Sequence, residues 1–215
     1  MPESFLIFGA GGHAKVVIDA LLASGCRIIG CYDDNPSLRG VELVPGVRVV
    51  GGSSTIVSDW RTGQKVIVAI GENRIRRRLS SRWELEYGVV SAPSVVLGSG
   101  VTIGAGSMLL PSATVNIDTT VGTHAILNTS CSIDHDCRIG NYAHIAPGCT
   151  LGGTVTVEEG TFLGVGTRVI PGIRIGRWSI VGAGTVVTKD LPDNCTAVGV
   201  PAQVIKIRED GWHLK

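Results

Sequence analysis

Between Leu97 and Val186 the apolar residues follow neither the 3.6-residue spacing of a helix nor the alternation of a half-buried strand; they return at every sixth position. The segment divides into fifteen blocks of six, from LGSGVT and IGAGSM to VGAGTV, with no residue inserted or lost. The first position is Leu, Ile or Val in all fifteen blocks, and the second is Gly in eight. The fifth is Ser, Thr, Ala, Val, Cys or Ile throughout. A period of six suits a short strand and a tight turn, wound repeatedly into a parallel β-helix. Three blocks close one triangular coil, so the segment predicts about five coils stacked at the usual ~4.8 Å strand spacing. Aliphatics at position one fill the interior, and the small residues of position five lie beside them. The glycines of position two are expected at turns where a side chain would be strained.

The first ninety residues are patterned differently. Ser4–Phe8 (SFLIF) predicts a short buried strand, followed by Gly9-Ala10-Gly11-Gly12-His13-Ala14 and a helical pattern over 15–25. Arg27–Tyr32 (RIIGCY) predicts a second strand, ending in Asp33-Asp34. A third, over 65–70 (KVIVAI), precedes Gly71-Glu72-Asn73 and a helix crowded with Arg74, Arg76, Arg77, Arg78 and Arg82. Strands alternating with helices imply a small parallel sheet. The glycine turn matches G-x-G-x-x-A, in which glycines let backbone approach phosphate and the following helix N-terminus favours an anion. An acid about 20 residues beyond the glycines is placed to hold a ribose hydroxyl. Only half of a dinucleotide fold is present, enough for a mononucleotide or a nucleotide-sugar. That disfavours an NAD oxidoreductase. The arginines read either as a solvated face or, for one or two of them, as a diphosphate contact. The chain is expected to divide into 1–92, an α/β nucleotide-sugar domain, and 93–215, an all-β helical domain.

Composition narrows the class further. Thirty of 215 residues are Gly and only 5% are aromatic, so the core must be aliphatic and small. A formal net charge of +1 disfavours a globally basic nucleic-acid binder. No run approaches the ~20 apolar residues of a membrane span. The N-terminus lacks the basic region of a signal peptide, so a cytoplasmic enzyme without membrane insertion is expected. The six cysteines form no C-x-x-C pair. Cys131, Cys137 and Cys149 all fall at position five and are expected to be reduced core fillers.

The hexapeptide segment, with the tail TAVGVPAQVIK (196–206), resembles the left-handed β-helix acyltransferases. Together with the half-Rossmann unit, it resembles the sugar N-acetyltransferases that act on nucleotide-linked amino sugars, and their sialic acid O-acetyltransferase-like relatives. The stretches that carry the likeness are GAGGHAKVV (9–17), AIGENRIR (69–76), ILNTSCSIDHDCRIGNYAHIAPG (126–148), FLGVGTRVIPG (162–172) and VGVPA (198–202). The resemblance implies a left-handed β-helix, acetyl-CoA as acyl donor, no metal, and a homotrimer with each active site between two subunits. It implies acceptor binding by Gly11, Gly12, His13, Lys15, Asp33, Asp34, Gly71, Asn73, Arg76 and Asn128. It implies acetyl-CoA binding by His144, Gly153, Gly164, Val165, Gly182, Ala183 and Pro201, with the Gly153 N–H at the oxyanion.

The chemistry needs a base near neutral pKa, which histidine supplies. His135 lies at position three of its block, where side chains point outward, and between Asp134 and Asp136. A carboxylate beside an imidazole fixes its tautomer. His135-Asp136-Cys137 matches the family's His-acid-Cys motif, so the resemblance makes His135 the general base, paired with Asp136. Transfer is expected to the amine of a sugar nucleotide, with UDP-linked 4-amino-4,6-dideoxy sugars as the lead. The alternative is O-acetylation of a sialic acid or another sugar hydroxyl. A γ-class carbonic anhydrase is disfavoured, because His124, His135 and His144 lack the close H-x-x-x-x-H pair of zinc ligands.

Overall fold

Residues 2–214 are described by a computed structural model, and two kinds of parallel sheet account for nearly all of them. The first is five-stranded. It is built from β1 (Ser4–Phe8), β2 (Arg27–Tyr32), β3 (Glu42–Val44), β4 (Val47–Gly51) and β5 (Lys65–Val68), in the order β3-β4-β2-β1-β5. Only the β3–β4 pair is antiparallel. Helices α1 (Gly12–Ala23), α2 (Ser53–Asp59) and α3 (Asn73–Ser80) cover it. The expected strands β1 and β2 are present with their expected bounds. β5 is two residues shorter than 65–70, because Ile70 N–H turns back to the Val68 carbonyl. α3 stops at Ser80, where the chain returns to the sheet: Trp83 packs edge-on against Phe8, and Tyr87 donates to the Ser80 carbonyl.

From Val90 onward the chain winds through three faces of two-residue strands. Each strand pairs in parallel with the residue eighteen further on, as in Ile126↔His144, Thr114↔Ser132 and Thr120↔Arg138. The predicted coil length therefore holds without slippage. Val90–Ser91 already pairs with Met108–Leu109, so the helix begins just ahead of residue 93. The position-one aliphatics and position-five small residues make one continuous core from Leu109 to Ala197, with Cys131, Cys137 and Cys149 fully buried and unpaired. Each buried Leu, Ile or Val contributes about 1.5–3 kcal/mol.

The turns depart from expectation in an informative way. Left-handed backbone (φ +52° to +78°) occurs at position four of every block, from Gly100 to Gly184, in seven glycines and eight other residues. The position-two glycines have ordinary φ. They are needed because the next coil approaches closely: a Cβ on Gly164 would lie 2.6 Å from the Ala183 nitrogen.

The two sheets share a core. Ala14, Val17, Ile18 and Leu21 of α1 pack on Val90, Ala92, Met108, Leu110 and Ile126 of the first β-helix face. α3 docks instead along the edge where the third face turns into the first. There the position-four rings of His124 and Tyr142 stack at 5.2 Å, and Ser80 donates to the Tyr142 hydroxyl. Beyond the last coil, Cys195–Val198 continues the first face and Gln203–Ile207 folds back on it antiparallel. No helix among the described residues is long and apolar enough to cross a membrane.

Candidate active site

His135 stands exposed on the edge between the second and third faces, as its position-three register requires. Its Nδ1 lies 2.8 Å from Asp136 Oδ2, and its backbone N–H donates to Asp134 Oδ1 at 2.9 Å. The Asp136 hydrogen bond, aided by the Asp134 charge, raises the imidazole above the ordinary histidine pKa. Nδ1–H is thereby committed to the carboxylate, which leaves Nε2 as the basic nitrogen. Asp136 takes the left-handed turn position (φ 57°), which Asp tolerates better than most residues. One coil further on, Gly153 lies under the imidazole. A Cβ there would come within 2.6 Å of both His135 Cε1 and Nε2. Gly153 carbonyl accepts from Gly172 N–H, while no described residue accepts from the Gly153 N–H.

A second cluster forms on the first face, under the loop after β5. His144 is 8% exposed; its Nδ1 lies 3.1 Å from the Gly71 carbonyl and its Nε2 3.1 Å from Asn128 Nδ2. Since a carbonyl only accepts, Nδ1 carries the proton and Nε2 accepts from the amide. Burial, then the charges of Arg76 and His13, push His144 down to about 3. His13 is lowered to about 4 by burial and Arg76, and its ring lies 6.2 Å from that of His144. Its Nε2 is buried without a partner. Both imidazoles are therefore neutral at physiological pH.

The nucleotide-side residues surround the N-terminus of α1. A Cβ on Gly11 or Gly12 would meet nothing within 4 Å, and Gly11 offers no side-chain cap to the first turn of the helix. Lys15 is exposed on that turn. Asp33 Oδ2 accepts from Ala10 N–H at 2.9 Å, which ties the glycine turn to β2. Asp34 Oδ1 accepts from Ser53 N–H at the start of α2. Each acid thus has a structural duty in addition to any contact with a ribose.

Two of the residues expected at the acceptor are buried in the packing of α3. Arg76 has no exposed surface, and all three guanidinium nitrogens bond internally: to the carbonyls of Ile70, Gly71, His124 and Tyr142 and to Asn73 Oδ1, at 2.8–3.2 Å. Asn73 is likewise buried, donating to Gly160 and Thr161 carbonyls. Both fasten α3 to the β-helix. The arginine helix is therefore not uniformly solvated. Among the others, Arg77 lies 3.6 Å from Glu159 and above the Trp178 ring.

Gly164, Val165, Gly182 and Ala183 line the edge between the first and second faces, above Asn128, with Pro201 beyond the last coil. His135 and Gly153 lie on the next edge, so one chain does not bring base and acyl groove together. Beside His144 opens a cavity of about 420 Å³ lined by Phe162, Ile180, Trp178 and Trp212. These aromatics escaped the sequence reading, although Phe162 is one coil beyond His144 and was reachable by the period alone. Trp178 stacks on His213 at 4.1 Å, and Arg208 lies over Trp212. Among the described residues no three His, Cys, Asp or Glu side chains converge on a point that would hold a metal.

Residues 4–83 match the PglD N-terminal domain, and residues 154–189 match the bacterial transferase hexapeptide (six repeats). PerB of Caulobacter crescentus, solved with CoA and GDP-perosamine, is 41% identical over 94% of this chain and 97% of its own, with a TM-score of 0.88. The acetyltransferase domain of PglB from Neisseria gonorrhoeae, solved with acetyl coenzyme A, is 30% identical over 95% of this chain and 100% of its own, with a TM-score of 0.88. A galactoside O-acetyltransferase of Lactococcus lactis is 54% identical over 50 residues; the match spans about a quarter of each chain. With a PglD-type first domain, an unbroken left-handed β-helix and end-to-end similarity to the perosamine enzyme, this chain belongs to the hexapeptide-repeat family of nucleotide-sugar N-acetyltransferases.

Proposed function

We propose that this protein transfers the acetyl group of acetyl-CoA to the amino group of a nucleoside-diphosphate-linked amino sugar, as a homotrimer in the cytoplasm. The observation that carries the reading is the His135–Asp136 pair poised over Gly153, on a different edge from Asn128 and the glycine-lined groove. In a trimer, one subunit's base edge faces the next subunit's acyl edge. The open helix N-terminus at Gly11-Gly12 suits the diphosphate. Unpaired cysteines suit a reducing compartment. Similarity over nearly the whole chain to an enzyme solved with GDP-perosamine makes a GDP-linked amino sugar the first acceptor to test, ahead of the UDP-linked sugar expected from the sequence.

The chemistry is direct. The sugar amine attacks the thioester carbonyl, forming the C–N bond and an oxyanion that the Gly153 N–H stabilises. Nε2 of His135 takes the ammonium proton, and Asp136 stabilises the imidazolium. The intermediate collapses, the C–S bond breaks, and CoA leaves with the proton returned by His135. No covalent enzyme intermediate is formed.

The test is complementation. His135→Asn and Asn128→Ala homotrimers should each be inactive, while mixed trimers regain activity through hybrid sites. Absence of rescue, with subunit exchange verified by native mass spectrometry, would refute a shared site. Mass and NMR analysis of the product identifies the acetylated atom.

A further inference from the structure

Arg76 is the largest side chain among the described residues with no exposed surface, and no described carboxylate bonds to this cation directly. Such a group is expensive to bury, so its partners are informative. Burial pushes it down to about 9, offset by the Glu72 charge, and it remains protonated at neutral pH. Two of its acceptors, the His124 and Tyr142 carbonyls, fasten α3 to the β-helix. Two others, the Ile70 and Gly71 carbonyls, belong to the loop that covers His144.

The Gly71 carbonyl is shared. It accepts from Arg76 Nη1 at 3.2 Å and from His144 Nδ1 at 3.1 Å, which occupies both lone pairs. His144 must then carry its proton on Nδ1. Its bare Nε2 can face only a donor, and it faces Asn128 Nδ2. That choice turns Asn128 Oδ1 toward Thr129, where it accepts from the backbone N–H at 2.8 Å and from the hydroxyl at 3.4 Å. The chain Arg76, Gly71 carbonyl, His144, Asn128 thus has one proton arrangement.

We propose that Arg76 is a positioning residue for this reaction: by holding the Gly71 carbonyl it fixes the tautomer of His144 and, through it, the orientation of the Asn128 amide. The inference rests on the reading that Asn128 and His144 border the acetyl-transfer site. The groups that face His144 are His13, Phe162, Asn128 and the Gly71 carbonyl, with the Arg76 charge behind them. No carboxylate bonds to its ring; the Gly71 carbonyl alone favours the protonated form, and burial with the Arg76 and His13 charges outweighs it.

The experiment compares Arg76→Lys and Arg76→Gln with the parent trimer, each verified as folded by circular dichroism and native mass. Histidine ¹⁵N NMR, assigned with His144→Ala, reports the tautomer directly. The parent should show a neutral His144 with the proton on Nδ1 from pH 5 to 8. Arg76→Gln should show mixed tautomers, and its kcat/KM for the sugar nucleotide should fall at least about tenfold, the scale of one or two misplaced hydrogen bonds. Arg76→Lys, which keeps the charge but loses the fork, should lie between. An unchanged His144 tautomer in both variants, with His144→Ala impaired, overturns the role of Arg76 and leaves the site reading intact. A changed tautomer with unchanged kinetics also overturns it; if His144→Ala and Asn128→Ala are then fully active, the site reading has failed as well.

Discussion

Adding one methyl group to Gly153 should separate activity from stability. The new Cβ of Gly153→Ala would lie 2.6 Å from His135 Cε1 and Nε2, roughly 1 Å inside an ordinary carbon contact. The backbone of Gly153 has no left-handed φ, so alanine fits the turn itself. The neighbour that must yield is the imidazole, which is exposed and free to swing outward. Swinging breaks the 2.8 Å bond to Asp136 and moves the base. A displacement near 1 Å in a reacting group costs about 10²-fold in rate. Stability should move the other way, if at all, because Gly→Ala at a compatible turn stabilises by about 0.4–1 kcal/mol through the unfolded chain. Steady-state kinetics and a thermal melt on the same sample decide it. Turnover within threefold of the parent, or a lowered Tm accompanying the loss, would refute the placement of His135 over Gly153.

Asp136→Asn keeps an acceptor for Nδ1–H and suits the left-handed backbone, but replaces the carboxylate hydrogen bond, the main cause of the raised His135, with a neutral one. The base works only when deprotonated. The acidic limb of the pH–rate profile should therefore lie above the ordinary histidine value in the parent and move to lower pH in the variant, with a reduced plateau; an unmoved limb assigns it to another group. Gly11→Val places a side chain in open space at the start of α1, so the protein should fold normally while the KM for the sugar nucleotide rises and that for acetyl-CoA stays constant. Loss of acetyl-CoA affinity instead would mean that the two substrates are assigned to the wrong domains.

The β-helix was legible because its signal repeats without interruption: position one names the core, and adding eighteen names each neighbour. That rule alone puts Gly153 against His135 and Phe162 against His144. It could not tell which turn position is left-handed, since Gly occurs at both the second and the fourth, and the commoner site turned out to serve close coil approach. β3, β4 and α2 lie between residues 42 and 59 and went unread, being too short for periodicity to register. Arg76 illustrates a different limit. Among the four arginines of α3, only its docking on His124 and Tyr142 distinguishes the buried one from the rest. That docking is set by residues 48 and 66 positions away.

The uniform coil also acts as a ruler graduated in whole rungs. Asn128 and Gly182 stand three coils apart along the same edge, about 14 Å at the usual strand spacing. The interval is not readily trimmed by a fraction of a rung: an insertion that is not a multiple of six would turn the later inward aliphatics out of the core, and one of six or twelve would carry the later residues to another face. An added 18-residue coil between them would keep all local packing and lengthen the interval by about 4.8 Å. Enzymes built this way can change the length of molecule they span only in discrete steps, while the chemistry at either end stays as it was.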